Sequence, residues 1–200
     1  MGGQIEYITL PGIAEPIKLG DFVHSTYFST VNFGSTQSAN LIYFHAQEGA
    51  AMQGLSGTQL DFYHTNMPGQ AQLPKGFQAL VFFLSVVPPV DITEAIYNDL
   101  QAKVLFEFIN GPNNKVADSG TLSHYPAGGG LYGTTNLNAA EAWNNGFPSG
   151  GSRTPYAIPH SLDEQIQFTV VARLNAALTA PPTGTQVKVL REGVMRRTVS

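Results

Sequence analysis

Cysteine is absent from the 200 residues, which excludes a disulfide framework and any thiolate that could hold a metal. Charge is scarce too, at 12% of the chain, about half the share of about 25% usual for soluble domains. The net charge of −4 offers no general attraction to nucleic acid. Long apolar runs are missing. The longest, residues 79–87, ends at Pro88-Pro89 and is too short to span a bilayer. The opening Met1-Gly2-Gly3-Gln4 carries no basic segment followed by an apolar stretch, so no secretory leader is expected there. Glu6 stands where an N-myristoylation motif needs Ser or Thr. A soluble chain is the expectation.

What is present describes a folded, loop-rich β protein. Hydrophobic residues make up 42%, with 21 Gly and 13 Pro, whereas a disordered chain would be poorer in aromatics and richer in charge. One β domain over residues 1–200 is expected, because sandwiches of this size stay undivided and bury an adequate core. Sparse charge also suits a surface that meets a partner, since interface cores are depleted in charge. A surface of Ser, Thr, Asn and Gln would account for it equally.

Strand-like segments recur between turn signals: residues 4–10, 22–31, 41–45, 55–64, 79–87, 103–110, 154–159 and 165–174, then a terminal pair over 186–190 and 194–199. Ile166, Phe168, Val170, Ala172 and Leu174 alternate with polar neighbours, which places one face in a core. Residues 79–87 do not alternate and read as a strand covered on both faces. Asn110-Gly111-Pro112, Asn145-Gly146 and Pro181-Pro182 are turn signals. Two short helices are expected. One follows the capping-box spacing of Asp91 and Glu94, with Ile92, Ile96 and Leu100 on one face, and the other follows Asn138 and Glu141 and stops at Asn145-Gly146. The expected fold is all-β, a single jelly roll or β-sandwich with one or two short helical insertions.

Catalytic signatures are thin. Gly128-Gly129-Gly130-Leu131-Tyr132-Gly133 spells G-x-G-x-x-G, but Pro126 precedes it and no apolar helical stripe follows, so it reads as a glycine-rich loop. Asp118-Ser119-Gly120 resembles the turn of aspartic proteases. That chemistry needs a second carboxylate sharing one proton, and no second triplet exists, so Asp118 reads as a hairpin-turn residue. His24, His45, His64, His124 and His160 form no zincin or cupin pattern. Only a spatial convergence of His45, Glu48, His64 and His124 would make a metal enzyme. No enzyme activity, cofactor or small-molecule substrate is expected.

Aromatic residues are more suggestive. Tyr125, Tyr132, Trp143, Phe147 and Tyr156 fall in the Gly/Pro/Asn-rich stretch 124–156, a composition suited to binding surfaces. Lys188, Arg191, Arg196 and Arg197 crowd the end against one acid, Glu192. They read as a solvated basic hairpin that offers contact to nucleic acid, lipid headgroups or an acidic patch on another copy.

From residue 103 onward the order of features resembles the jelly-roll capsid proteins of tailless icosahedral bacteriophages, the membrane-containing kind included. A strand ending in Asn110-Gly111 comes first, then the Pro126–Leu131 loop and the alternating strand up to Leu174. The close is Val187, Val189, a turn at Gly193, and a basic-apolar strand through Met195 to Val199. The resemblance implies an upright jelly roll that forms trimers or pseudo-hexamers. It also implies a virion location after assembly in the host cytoplasm, with copies of itself and other virion proteins as partners. No catalytic residue comes with it. The alternative is a carbohydrate- or ligand-binding β-sandwich that uses the aromatic loop 124–156.

Overall fold

The computed structural model describes residues 7–8, 17–18, 22–34, 40–89, 92–111, 113, 115–126, 132–133, 143–144, 155–178 and 184–197. Its strands are β1 (Tyr7–Ile8), β2 (Ile17–Lys18), β3 (Phe22–Phe33), β4 (Leu41–Tyr43), β5 (Phe77–Val87), β6 (Val104–Asn110), β7 (Lys115–Gly120), β8 (Tyr132–Gly133), β9 (Trp143–Asn144), β10 (His160–Leu162), β11 (Phe168–Leu174) and β12 (Thr185–Arg197). One α-helix, α1 (Glu94–Lys103), and a 3-10 turn (Leu122–His124) complete the described elements. No helix among the described residues is long and apolar enough to cross a membrane.

Two four-stranded antiparallel sheets make a β-sandwich. The first runs β10-β5-β12-β3 and the second β4-β11-β6-β7, while β1·β2 and β8·β9 are separate small pairs. Within the sandwich the pairing is nested: β3 with β12, β4 with β11, β5 with β10, and β6 with β7. The earliest of these eight strands therefore pairs with the last, and each inner pair is enclosed by the next.

The core lies between the sheets. Val31, Phe33, Val81, Val86, Val187 and Val189 from the first sheet face Leu41, Tyr43, Phe106, Phe108, Val170 and Ala172 from the second. The alternation expected for β11 holds in part: Phe168, Val170 and Ala172 are buried core residues and Arg173 is exposed, but Thr169, expected on the outer face, is buried too. β5 lies inside its sheet between β10 and β12, and every residue from Phe77 to Val87 is buried or half-buried on both faces. In α1 the Thr93 Oγ1 caps the amide of Ile96 at 3.4 Å. Ile92, Ile96 and Leu100 are buried on the expected face, and Asp99 pairs with Lys103 at 2.8 Å one turn on.

Several expected elements differ. Residues 55–64 form turns instead of a strand; Gly57 within them adopts φ 80°, which breaks extension, just after Gly54 at φ 81°. The strand expected over 154–159 begins only at His160, after the prolines 155 and 159, which cannot donate to a ladder. Asp118 lies inside β7, and the turn falls earlier, at Gly111 with φ 91°. Of the second helix only residues 143–144 are described, and they are extended. The terminal hairpin is instead one strand. β12 runs unbroken through Gly193, because that glycine sits at a bulge against β5 and not in a turn.

Candidate functional site

Two β-bulges shape the most chemically varied region. Opposite β12, Glu192 pairs with Phe83 and Gly193 with Val81, so Phe82 is the extra residue. Its carbonyl is thereby freed to accept the amide of Tyr156 at 2.8 Å. In β7, Asp118 pairs with Phe108 and Val116 with Ile109, which leaves Ala117 as the extra residue. A regular strand would turn Ala117 and Asp118 to opposite faces, but a bulge re-aims one of them. Ala117 packs on the core, and the Asp118 carboxylate buries its Oδ2.

Between the bulges lies a cavity of about 170 Å³, walled by Phe83, Tyr125, Tyr156 and two prolines, with the carboxylate of Asp118 and the imidazole of His124 also in its lining. Asp118 Oδ1 accepts the amide of Ser119 at 2.9 Å and lies 3.9 Å from His124 Nε2. Burial, reinforced by the charge of Asp118, pushes the phenols of Tyr125 and Tyr156 well above the ordinary tyrosine range. Both stay protonated at neutral pH. His160 stands edge-on to Tyr156 and Phe108, at 4.4 and 5.0 Å between ring centroids. Burial lowers its pKa; Asp118 opposes this and Arg191 adds to it.

Behind this cluster sits Arg191, 1% exposed. Its guanidinium carbon lies 4.1, 4.3 and 4.7 Å from the ring centroids of Phe108, Phe168 and Phe44. Nη2 reaches the carbonyl of Thr169 at only 3.5 Å, and Nε and Nη1 find no acceptor among the described residues. Burial pulls its pKa down to about 9. Three phenyl faces supply cation–π attraction, yet a buried cation without a hydrogen-bonded anion is costly.

The structure thus rearranges the expected contact residues. Tyr125 is a buried core residue and Tyr156 packs against the core, so both face inward around one cavity. Arg191, expected on a solvated basic face, is interior, because Val187, Val189 and Arg191 share the inward face of β12. Lys188 is half-buried with Nζ 4.7 Å over Phe28, and Arg196 lies 5.8 Å over Phe22. Arg197 closes β12. Tyr132 and Trp143 fall in the β8·β9 pair, where Gly133 faces Trp143. Phe147 and most of the glycine-rich motif lie outside the described residues. His45, Glu48, His64 and His124 do not converge: no group of three metal-ligating side chains forms among the described residues. His160 and the burial of Arg191 escaped sequence reasoning, although the two-residue period Val187, Val189, Arg191 marks the second.

His160 carries a prediction. Its folded pKa lies below the ordinary value near 6.5, so the unfolded chain takes up the proton first on acidification. The stability this histidine contributes is present above that pH and is lost below it. Melting temperature is expected to fall between pH 6.5 and 5, and His160→Asn is expected to flatten that slope. Identical slopes in melts across this window would remove His160 from the account.

Comparison with protein-family models, curated proteins and solved structures finds no match to this chain.

Proposed function

We propose that this chain is a jelly-roll shell subunit of a virion, which assembles with copies of itself and catalyses no reaction. The observation that carries the reading is the nested pairing of eight strands. A long antiparallel ribbon folded at its middle and rolled up pairs first with last, second with seventh, third with sixth and fourth with fifth. It distributes the strands as two four-stranded sheets, and the described pairings follow that scheme. Double-sheet rolls of this kind serve viral capsids as well as lectins. The low charge content favours the shell, where subunit surfaces meet each other. The half-buried Arg196 on β12 is a basic group available for a neighbouring copy or another virion component.

Light scattering behind a sizing column, across concentration and salt, tests the reading. Trimers, hexamers or shell-sized particles are expected, and a strict monomer under every condition would overturn it. Trp143→Ala is expected to reduce assembly while leaving the thermal midpoint in place. Loss of both together would make Trp143 a core residue. A second reading, a ligand-binding sandwich, is favoured by the aromatic cavity over Asp118, and a monomer that binds glycans would support it.

A further inference from the structure

On the opposite side of the first sheet, facing away from the core, lies a second concavity with a different chemistry. This open groove has a volume of about 330 Å³ and is lined by Tyr63, His64, Pro88, Thr30, Gln186 and Lys188, among others. We propose that it binds an acidic pyranose, a sugar ring bearing a carboxylate, with the ring on Tyr63 and the carboxylate on Lys188.

The aromatic platform is unusual in being both exposed and fixed. Tyr63 is 66% and Phe62 62% exposed, yet their rings lie 4.1 Å apart. The turn that presents them is locked by Asp61. Its Oδ1 accepts the amide of Tyr63 at 2.9 Å and lies 2.6 Å from His64 Nδ1, and its carbonyl accepts the amides of His64 and Thr65. Holding a large aromatic in water brings the fold nothing in packing. An exposed, pre-ordered ring is what stacks on the apolar C–H face of a sugar at low entropic cost.

The polar groups match the rest of such a ring. Thr30 is 5% exposed and its Oγ1 finds no partner among the described residues. A buried hydroxyl in that state gains from a ligand hydroxyl. Gln186 adds an amide that donates and accepts. Lys188 lies over Phe28 and forms no ion pair with a carboxylate within 4.0 Å among the described residues. Burial lowers its pKa, and Asp61 partly opposes this. A half-buried cation without such a partner selects an anion over a neutral isostere, because the desolvation of the ammonium is then repaid by a charged hydrogen bond. Asp61, the nearby acid, is already engaged by His64 and the Tyr63 amide.

The groove does not rest on the shell reading, because a monomer would carry it equally. Saturation-transfer NMR and calorimetry of the full chain with methyl β-glucuronide and methyl β-glucoside test it. The glucuronide is expected to bind with a Kd of about 1 mM and the neutral glucoside about tenfold more weakly, a discrimination of about 1.4 kcal/mol. Lys188→Met is expected to remove the difference between the two sugars, Tyr63→Ala to weaken both about tenfold, and Lys75→Met, on an exposed turn, to change neither. Absence of saturation transfer from either sugar, or equal affinity for the two, would overturn the proposal. So would binding that survives both Tyr63→Ala and Lys188→Met, or that is lost only on Asp118→Asn, which would place the sugar in the other cavity.

Discussion

Arg191→Met is expected to raise the thermal midpoint at pH 7. The guanidinium is buried and faces three phenyl rings, while two of its nitrogens find no acceptor among the described residues. Methionine keeps most of the volume and places sulfur against the same rings, a favourable contact. It removes the desolvated charge. Replacing buried ionic groups with apolar side chains of similar size is neutral to stabilising by about 1–4 kcal/mol. Cation–π attraction offsets part of this, so a gain of about 1–3 kcal/mol is expected. In a chain of this length each kcal/mol moves the midpoint by about 2–4 °C. Arg191→Ala is expected to destabilise instead, because it leaves a void beneath Phe44, Phe108 and Phe168.

The pH dependence separates charge from packing. The folded pKa of Arg191 is about 9, well below that of the free group. Between those values the unfolded chain holds the proton that the folded chain has released, so this term stabilises the fold as pH rises. Tyr27, Tyr43, Tyr97, Tyr125 and Tyr156 act the other way. Their folded pKa values are raised above 10, so the unfolded chain ionises first and the fold loses stability above that pH. Both proteins are therefore expected to weaken in strong alkali, while the advantage of Arg191→Met shrinks from pH 9 upward. Paired melts at pH 7 and 10.5 measure this. A variant less stable than wild type at pH 7 would show that the charge is adequately partnered.

Gly193→Ala is expected to be strongly destabilising. A Cβ at this position would lie 1.8 Å from the carbonyl oxygen of Leu80 and 3.1 Å from the Cα of Val81. Both are backbone atoms of the adjacent strand, so no side chain can swing aside. The central β5·β12 pair would have to separate at its bulge, at a cost of about 3 kcal/mol, the upper part of the range for overpacked interiors. Gly69→Ala is the matched control, since its Cβ would meet only the carbonyl of Gln72 at 3.8 Å. Urea unfolding of both variants reports the difference, and equal midpoints would mean that the bulge relaxes without strain.

The strands that announced themselves are those whose burial follows a simple rule. β11 alternates because one face meets the core, and β5 runs apolar because it is flanked and covered. α1 was legible from Ile92, Ile96 and Leu100, although its cap is Thr93 and not Asp91. What escaped depends on contacts distant in sequence. Gly193 looks like a turn residue until the backbone of Leu80 is placed against it. Arg191 looks like a surface cation until β12 is seen to continue in phase from Val187. β7 was hidden because its sequence, from Lys115 to Gly120, is polar enough for a turn; Asp118 faces inward because it pairs with the core residue Phe108, and the bulge turns Ala117 to the core beside it. Tyr125 and Tyr156 were read with Tyr132, Trp143 and Phe147 as contact residues of one aromatic loop, because composition does not distinguish a binding surface from the lining of an internal cavity.

The nested pairing also dictates the order in which this chain can acquire structure. β6 and β7 are joined by a short turn and can meet early, whereas β3 must wait for β12, the strand it pairs with along its length. β12 occupies an inner position of its sheet, between β5 and β3, yet emerges from the ribosome after both. Closing so long a loop is entropically slow. During synthesis the first half of the sheet is therefore an open template with a strand-wide gap at its centre, exposed to neighbouring nascent chains until the last segment slots in.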